Sequence, residues 1–311
     1  MQRSSDALPT QPLLADSLGS RKRPVCNACA SEVVRLRNVR SPIDGRYYAL
    51  YECKRCRSRS FDAHEHQTDL AALYDSLAEA SAQTYELPFQ RSSYWSHEVA
   101  FIRRMLGREP VSVLDAGCRT GDFLLHWPET VRRVGVELSH RSAQIAGRRG
   151  LAVHEMQLED LQIHDRFEIV TCYAILEHLT APRQFLAKLA DLVQEGGVLA
   201  VLVPSFETLK ARALEAVGYR WHMYRPPEHL NLYSRPFLDT YLAQEGFSLV
   251  ARRYTSGGTF NPLGRVPLLG KAFAKAMWLV DANSPLHLVP VFDHMYAYYR
   301  LGTERRRRSA Q

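Results

Sequence analysis

From Val111 onward, short apolar runs alternate with segments whose apolar residues recur at every third or fourth position. The runs Val111–Ala116, Arg133–Leu138, Leu151–Met156, Phe167–Tyr173, Val198–Pro204 and Phe247–Ala251 have the length and composition of buried strands. Helical patterns lie between them; Ala181–Val193 sets Phe185, Leu186, Leu189 and Leu192 on one side. This alternation predicts a doubly wound α/β domain over 108–304, with a mostly parallel sheet covered on both faces. A Tyr-rich run, His294–Arg300, predicts one more strand.

Upstream the period changes. Leu70, Leu73 and Leu77, then Val99, Ile102 and Leu106, predict helices in a linker or lid segment over 61–107. Residues 21–60 carry two strand-like runs, Val33–Val39 and Tyr47–Tyr51, with Pro42, Asp44 and Gly45 as turn material between them. Pro9, Pro12 and Asp16 interrupt the first twenty residues, which predicts a leader without fixed structure and no signal peptide. No apolar run has the length of a membrane span, so the expected location is the cytoplasm. A segment over 257–292, with Pro262, Phe273, Met277 and Trp278, reads as an insertion. A packed helical subdomain or a substrate lid is expected there ahead of a membrane-contacting face.

The predicted hairpin has a cysteine pair at each end, Cys26/Cys29 and Cys53/Cys56, with twenty-three residues between the pairs. Two C-x-x-C knuckles in a chain without a secretion signal favour a metal over disulfides. Four thiolates suit tetrahedral Zn2+, so residues 21–60 are expected to form a zinc ribbon. Cys118 and Cys172 stand singly in apolar segments, as small buried side chains do.

Charge separates the regions further. The net charge is +7, yet residues 21–60 hold eleven Lys/Arg against three Asp/Glu, and Arg305, Arg306, Arg307 and Arg308 crowd a basic tail over 305–311. The α/β body is slightly acidic. Basic patches suit an anionic partner, such as nucleic acid or a phosphorylated substrate, and equally a solubilising surface.

The candidate chemistry begins at Val113-Leu114-Asp115-Ala116-Gly117-Cys118-Arg119-Thr120-Gly121, a strand running into a glycine-bearing turn. In an open α/β sheet the ligand crevice lies past the carboxyl ends of the strands. Twenty-two residues after Asp115, Glu137 ends the next strand, where an acid is placed to accept from the ribose hydroxyls of an adenosine cofactor. Leu176-Glu177-His178 follows the Phe167–Tyr173 run, and Glu195-Gly196-Gly197 precedes Val198.

In these four marks, in this order, the chain resembles the class I S-adenosylmethionine-dependent methyltransferases of the leucine-Glu-His type, from about Val111 to Phe247. The resemblance implies a seven-stranded Rossmann-like sheet and S-adenosyl-L-methionine as cofactor. It places Asp115 and Gly117 beside the methionine part, with Gly121 completing the turn, and Glu137 on the ribose. Gln157 and Leu158 fall at the adenine edge, and Cys172 is carried over with the cofactor residues. Many relatives have Asp where Gln157 stands; a glutamine carbonyl still accepts from an adenine amino group. Arg119 replaces the middle glycine of the turn. Its side chain is expected to point to solvent, the alternative being contact with the cofactor carboxylate.

Methyl transfer to a hydroxyl needs alignment and removal of a proton. His229, in a loop before Leu232-Tyr233-Ser234, is the first candidate base; His178 is the second, with a structural role as its alternative. Some ubiquinone-type O-methyltransferases resemble this segment and bind a divalent metal through an acid where Ala174 stands, which disfavours a catalytic metal here. Thr171-Cys172-Tyr173-Ala174 does not resemble the Asn/Asp-Pro-Pro-Tyr signature of enzymes that methylate exocyclic amino groups of bases. The expected activity is O-methylation of a small or carrier-linked metabolite, such as a sugar or secondary metabolite. Two rival readings are a zinc-ribbon ribosomal-RNA methyltransferase and a cofactor-binding protein without turnover. Nucleic acid is the less favoured partner.

Overall fold

The computed structural model describes residues 24–62, 88–255, 290 and 292–303. The expected leader, the linker helix around Leu70–Leu77, nearly all of the 257–292 insertion and the basic tail lie outside the described residues. The chain divides into two compact units. One comprises Gln67–Val203, Leu238–Arg253 and Tyr296–Gln311; the other comprises Met1–His66, Pro204–Phe237 and Tyr254–Met295.

The first unit is built on a seven-stranded sheet among the described residues. Its strands are β4 (Ser112–Ala116), β5 (Arg132–Glu137), β6 (Ala152–Glu155), β7 (Phe167–Tyr173), β8 (Val193–Pro204), β10 (Phe247–Thr255) and β11 (His294–Leu301), in the order β10-β11-β8-β7-β4-β5-β6. β6, β5, β4, β7 and β8 run parallel in succession. The order reverses at β4, where chain progress goes outward through β5 and β6 on one side and through β7 and β8 on the other. That reversal is the switch point at which α/β sheets open a ligand crevice. The sheet is the mostly parallel one that the alternation predicts, with the seven-stranded Rossmann-like architecture that the resemblance implies. β7 is buried at all seven positions, as a central parallel strand must be.

Helices α1 (Pro88–Leu106), α2 (His140–Arg148), α3 (Pro182–Leu192) and α5 (Arg235–Gln244) accompany these strands. α2 begins where the Ser139 side chain accepts from the Ser142 N–H, an N-cap that satisfies one orphan donor. α3 opens with Pro182 and buries Phe185, Leu186, Leu189 and Leu192, the predicted apolar side. α1 contributes Val99 and Ile102 to a core shared with Val113, Leu124, Ile169 and Val198. It also brings in a buried carboxylate. Glu98 accepts from Tyr173 Oη at 2.8 Å and from Tyr298 Oη at 2.9 Å, and it is ion-paired with Arg253.

Two strands are longer than their apolar runs. β8 starts at Val193 rather than Val198, because Val193 pairs with Phe167 across an irregular register that carries Gln194–Gly197 along. β10 continues through Arg252 and Arg253, whose charges are met by Asp239 and Glu98.

The second unit holds a four-stranded sheet among the described residues, ordered β1-β2-β3-β9. The antiparallel hairpin of β1 (Val33–Arg40) and β2 (Tyr47–Cys53) is the predicted one. β3 (Arg59–Phe61) and β9 (Asn231–Leu232) extend it, with Ser60 opposite Asn231. The sheet's core is Val39, Tyr48, Leu50 and Phe61 packed with Phe206, Trp221, Tyr224 and Leu232. Helix α4 (Leu209–Ala216) is capped by Thr208, which accepts from the Ala211 N–H. Glu215 at its end meets Arg37 at 3.0 Å, Arg59 at 2.9 Å and the Tyr224 hydroxyl.

Candidate functional site

The glycine-bearing turn follows β4 with the backbone the motif requires. Gly117 and Gly121 have φ of 76° and 81°, left-handed values that glycine adopts freely. Space excludes a side chain as well: a Cβ on Gly117 would lie 2.4 Å from Ile175 Cδ1, and one on Gly121 2.1 Å from Leu151 Cδ1. Arg119, between them, takes the same left-handed conformation with φ of 51° and an exposed side chain. The turn therefore keeps its shape without the middle glycine. The conformation costs an L-residue on the order of 1–2 kcal/mol.

The turn and Glu137 are one assembly. Glu137 closes β5 and is 7% exposed. Its Oε2 accepts from the Arg119 N–H and its Oε1 from the Ser139 N–H, both at 2.8 Å. Burial raises its pKa, opposed by the N–H groups of Ser139 and Arg119. A carboxylate has about four lone-pair sites, so two backbone bonds leave capacity for two ribose hydroxyls. The residues present fit an adenosine cofactor on this observation.

Asp115 lies deeper, and its Oδ1 accepts from the Thr171 hydroxyl at 2.6 Å. Burial, aided by the nearby Glu137 charge and opposed by Thr171, pushes its carboxyl up to about 7. Among the residues placed at the adenine edge, Gln157 is exposed and Leu158 buried, at the start of a short 3-10 turn (Leu158–Asp160) after β6. Cys172 is fully buried within β7, beside Ala116 and Val201 in register. Burial holds its thiol neutral, well above its ordinary range. Glu177 and His178 are both buried in the 3-10 turn Leu176–His178, with Nε2 of His178 4.0 Å from Glu177 Oε1. Thr171 and the Ser139 N–H are the contributors that pattern reading missed. Thr171 is legible only once β7 is set beside β4, opposite Asp115.

In the other unit, Cys26, Cys29, Cys53 and Cys56 place their sulfurs within 4.8 Å of one another. Cys26 Sγ lies 3.6 Å from Cys56 Sγ, and Cys29 Sγ 3.4 Å from Cys53 Sγ. A tetrahedral ion with metal–sulfur bonds of about 2.3 Å sets its sulfurs about 3.8 Å apart, so the cluster fits such an ion with small adjustment. The Cys56 N–H points at Cys53 Sγ at 3.3 Å, the sulfur-directed bond of a metal knuckle. The Cys26–Cys56 hydrogen bond and the Ser58 donors lower the Cys56 thiol to about 5 and favour a thiolate there.

His229, also in this unit, is buried, and its Nδ1 lies 2.9 Å from the carbonyl oxygen of Met223. A carbonyl only accepts, so Nδ1 carries a proton, and in the neutral tautomer the lone pair is then on Nε2. Downstream, Ser234 caps the following helix by accepting from the Phe237 N–H at 3.2 Å.

Residues 89–252, over half of the chain, match the family described as a methyltransferase domain. The chain belongs to that family. This methyltransferase is 27% identical over 188 residues to a ubiquinone biosynthesis O-methyltransferase of Cupriavidus pinatubonensis, covering 56% of this chain and 73% of that protein. It is 26% identical over 207 residues to a malonyl-[acyl-carrier protein] O-methyltransferase of Paenibacillus, covering 60% and 74%. A Synechococcus protein without assigned activity is 32% identical over 103 residues, but the match spans only 25% of that protein and 29% of this one. Among solved structures, the plantazolicin methyltransferase BamL, in complex with a desmethyl-plantazolicin analog and SAH, shares the fold at a TM-score of 0.50 and 13% identity. That match covers 73% of this chain and 91% of BamL. The enzyme is an S-adenosylmethionine-dependent methyltransferase, and no helix among its described residues is long and apolar enough to cross a membrane.

Proposed function

We propose that the enzyme methylates a hydroxyl oxygen on a small or carrier-linked acceptor, with His229 as general base. The observation that carries this reading is the hydrogen bond from His229 Nδ1–H to Met223 O, which sets Nε2 as the basic atom of the neutral ring. A neutral imidazole is matched to removing a hydroxyl proton near pH 7. Bound S-adenosyl-L-methionine supplies an already activated methyl group. Glu137 would hold its ribose, Asp115, Gly117 and Gly121 would border its methionine part, Gln157 and Leu158 would flank its adenine, and Cys172 would stand among the cofactor residues. His229 Nε2 accepts the hydroxyl proton, and His178 orients the acceptor or serves as a secondary basic group. Both named O-methyltransferase relatives support oxygen as the methylated atom, and one of them supports a carrier-linked acceptor.

Cys26, Cys29, Cys53 and Cys56 would hold one structural Zn2+, so residues 21–60 serve as a zinc ribbon ahead of the catalytic domain. Within the ribbon, Arg57 is paired with Glu52 and Lys54 with Glu32, while Arg37 and Arg59 share Glu215 from outside it. A cytoplasmic location agrees with this chemistry.

The test is to follow a 13C-labelled methyl group from S-adenosylmethionine into a panel of hydroxylated metabolites and acyl-carrier thioesters by NMR. Label on oxygen supports the reading. Label on nitrogen or carbon, or transfer only to RNA, overturns it.

A further inference from the structure

His229 and the four cysteines belong to the same compact unit, and the stretch that follows His229 is held by both cysteine knuckles. Inside the first knuckle, the Asn27 side chain donates from Nδ2 to Asn231 Oδ1 at 3.0 Å. Beside the second, Ser58 Oγ accepts from the Ser234 N–H at 3.2 Å, and the Ser234 hydroxyl donates to the carbonyl oxygen of Cys56. Asn231, Ser234 and Ser58 are all buried. Between these points β9 pairs with β3, the strand that starts at Arg59 just past Cys56. One step closer to His229, the Phe61 N–H donates to the Leu230 carbonyl at 2.9 Å.

The stretch that precedes His229 rests on the same strand. Arg59 of β3 donates to the Tyr224 hydroxyl, and the Phe61 ring meets the Tyr224 ring edge-on, with centroids 5.7 Å apart. On either side of Tyr224, the Met223 carbonyl takes the His229 Nδ1–H and the Arg225 carbonyl takes the His229 N–H at 3.0 Å. The imidazole thus sits in a loop with both ends on β3, and its downstream end is tied again to each knuckle. A shift of about 1 Å in either knuckle takes these bonds out of range and leaves buried polar groups unmet, which native structures avoid. The sulfur pairs Cys26–Cys56 and Cys29–Cys53 each join one knuckle to the other, so one ion on all four sulfurs would fix the knuckles against each other.

We infer that the metal-bound knuckles are a clamp for the His229 loop, with Asn27 and Ser58 as positioning residues that pass the geometry of the four-sulfur centre to the imidazole. This rests on the proposed zinc centre and on His229 as base, and it gives the ribbon a role in the reaction. A base contributes only when its lone pair stands where the proton leaves, and a misplacement of about 1 Å can lower a rate on the order of a hundredfold. The clamp supplies that alignment.

The experiment is long-range 1H–15N NMR of the full chain, labelled with 15N at histidine and saturated with S-adenosylhomocysteine. The His229 ring signals are those missing in His229→Gln, and zinc is counted by elemental analysis on every sample. The wild type is expected to show His229 in one tautomer, protonated at Nδ1. Asn27→Ala and Ser58→Ala should each keep about one zinc per chain and the wild-type S-adenosylhomocysteine affinity, yet lose that pattern and give signals averaged over both tautomers. Ser58→Thr, which keeps the hydroxyl, should restore it. A wild-type ring without the pattern, or a ring still fixed in both alanine variants or after zinc is removed by a chelator, overturns the clamp. A chain purified without any bound metal overturns the zinc centre and the clamp with it. Turnover is no part of the readout, so a His229 that is clamped yet dispensable for methyl transfer would overturn its role as base and leave the clamp standing.

Discussion

The two compact units hold their polar groups by different means. In the sheet unit, Asp115 is met by Thr171, its register partner on β7, and Glu137 by the N–H groups of Arg119 and Ser139 in the turns after β4 and β5. In the other unit the strands are short and often exposed, and order comes from four converging thiols and from charges such as the half-buried Glu215 and the buried Asp293. A regular sheet can be lengthened or trimmed at its edges with modest loss. A small unit resting on a few strong polar contacts fails when one of them is removed.

Metal loss should separate the units most sharply. The enzyme purified without added metal is expected to carry about one zinc per chain by elemental analysis, and structural zinc contributes on the order of 10 kcal/mol in small ribbons. Cys53→Ser should therefore abolish amide protection across β1–β3 in hydrogen exchange while β4–β8 stay protected. Equal protection of β1–β3 with and without the substitution would remove the metal from the account.

Next in size is catalysis. His229→Ala should lower turnover roughly 10²–10⁴-fold, the usual range for a positioned base, with S-adenosylmethionine affinity unchanged. Near-wild-type turnover would return His229 to a structural role, and the same result in His178→Ala would do so for that residue.

Asp115 offers a test inside the sheet unit. Its carboxyl is raised from 3.8 to about 7, so the folded cofactor-free enzyme binds a proton there that the unfolded chain has released. Stability from this group is full below pH 4, declines as pH rises through the interval and is lost above about 7. Between pH 5 and pH 8 the change is about 2–3 kcal/mol. Asp115→Asn keeps an acceptor for Thr171 and should flatten that part of the stability–pH profile in urea titrations. A profile as steep as the wild type's would show that Asp115 is not the group responsible.

The smallest expected effect is at the ribose. Glu137→Ala should weaken S-adenosylmethionine binding by about 1–3 kcal/mol through loss of charged hydrogen bonds, measured by calorimetry. Equal binding would place the ribose elsewhere.

How much of this was legible in the sequence follows the same division. β7 is readable because every residue in it is buried and apolar enough to form a run. The ends of β8 and β10 are not: Gln194–Gly197 look like a turn, and Arg252 and Arg253 look like solvent, until pairing with Phe167 and with Asp239 and Glu98 is seen. In the ribbon unit the hairpin and the cysteines are local features and were legible. β9 is two residues long and has no period to detect. The bonds that Asp293 accepts from the Ser205 N–H and the Trp221 indole join residues 205–221 to residue 293, a separation that no local pattern spans. Register partners such as Thr171 belong to the same class, since adjacency across a parallel sheet depends on strand order, which the run of residues does not state.

The pairing of Ser60 with Asn231 has a consequence for how the protein is made. The four cysteines lie between residues 26 and 56, and the hairpin they bracket is closed by local contacts, which form fast. The fourth strand of that same sheet is synthesised 171 positions after its partner and cannot pair until the parallel sheet has been translated in between. The hairpin is therefore expected to form before its sheet can be completed, and the β3 edge stays open while β4–β8 are synthesised, a period in which unpaired strands invite aggregation.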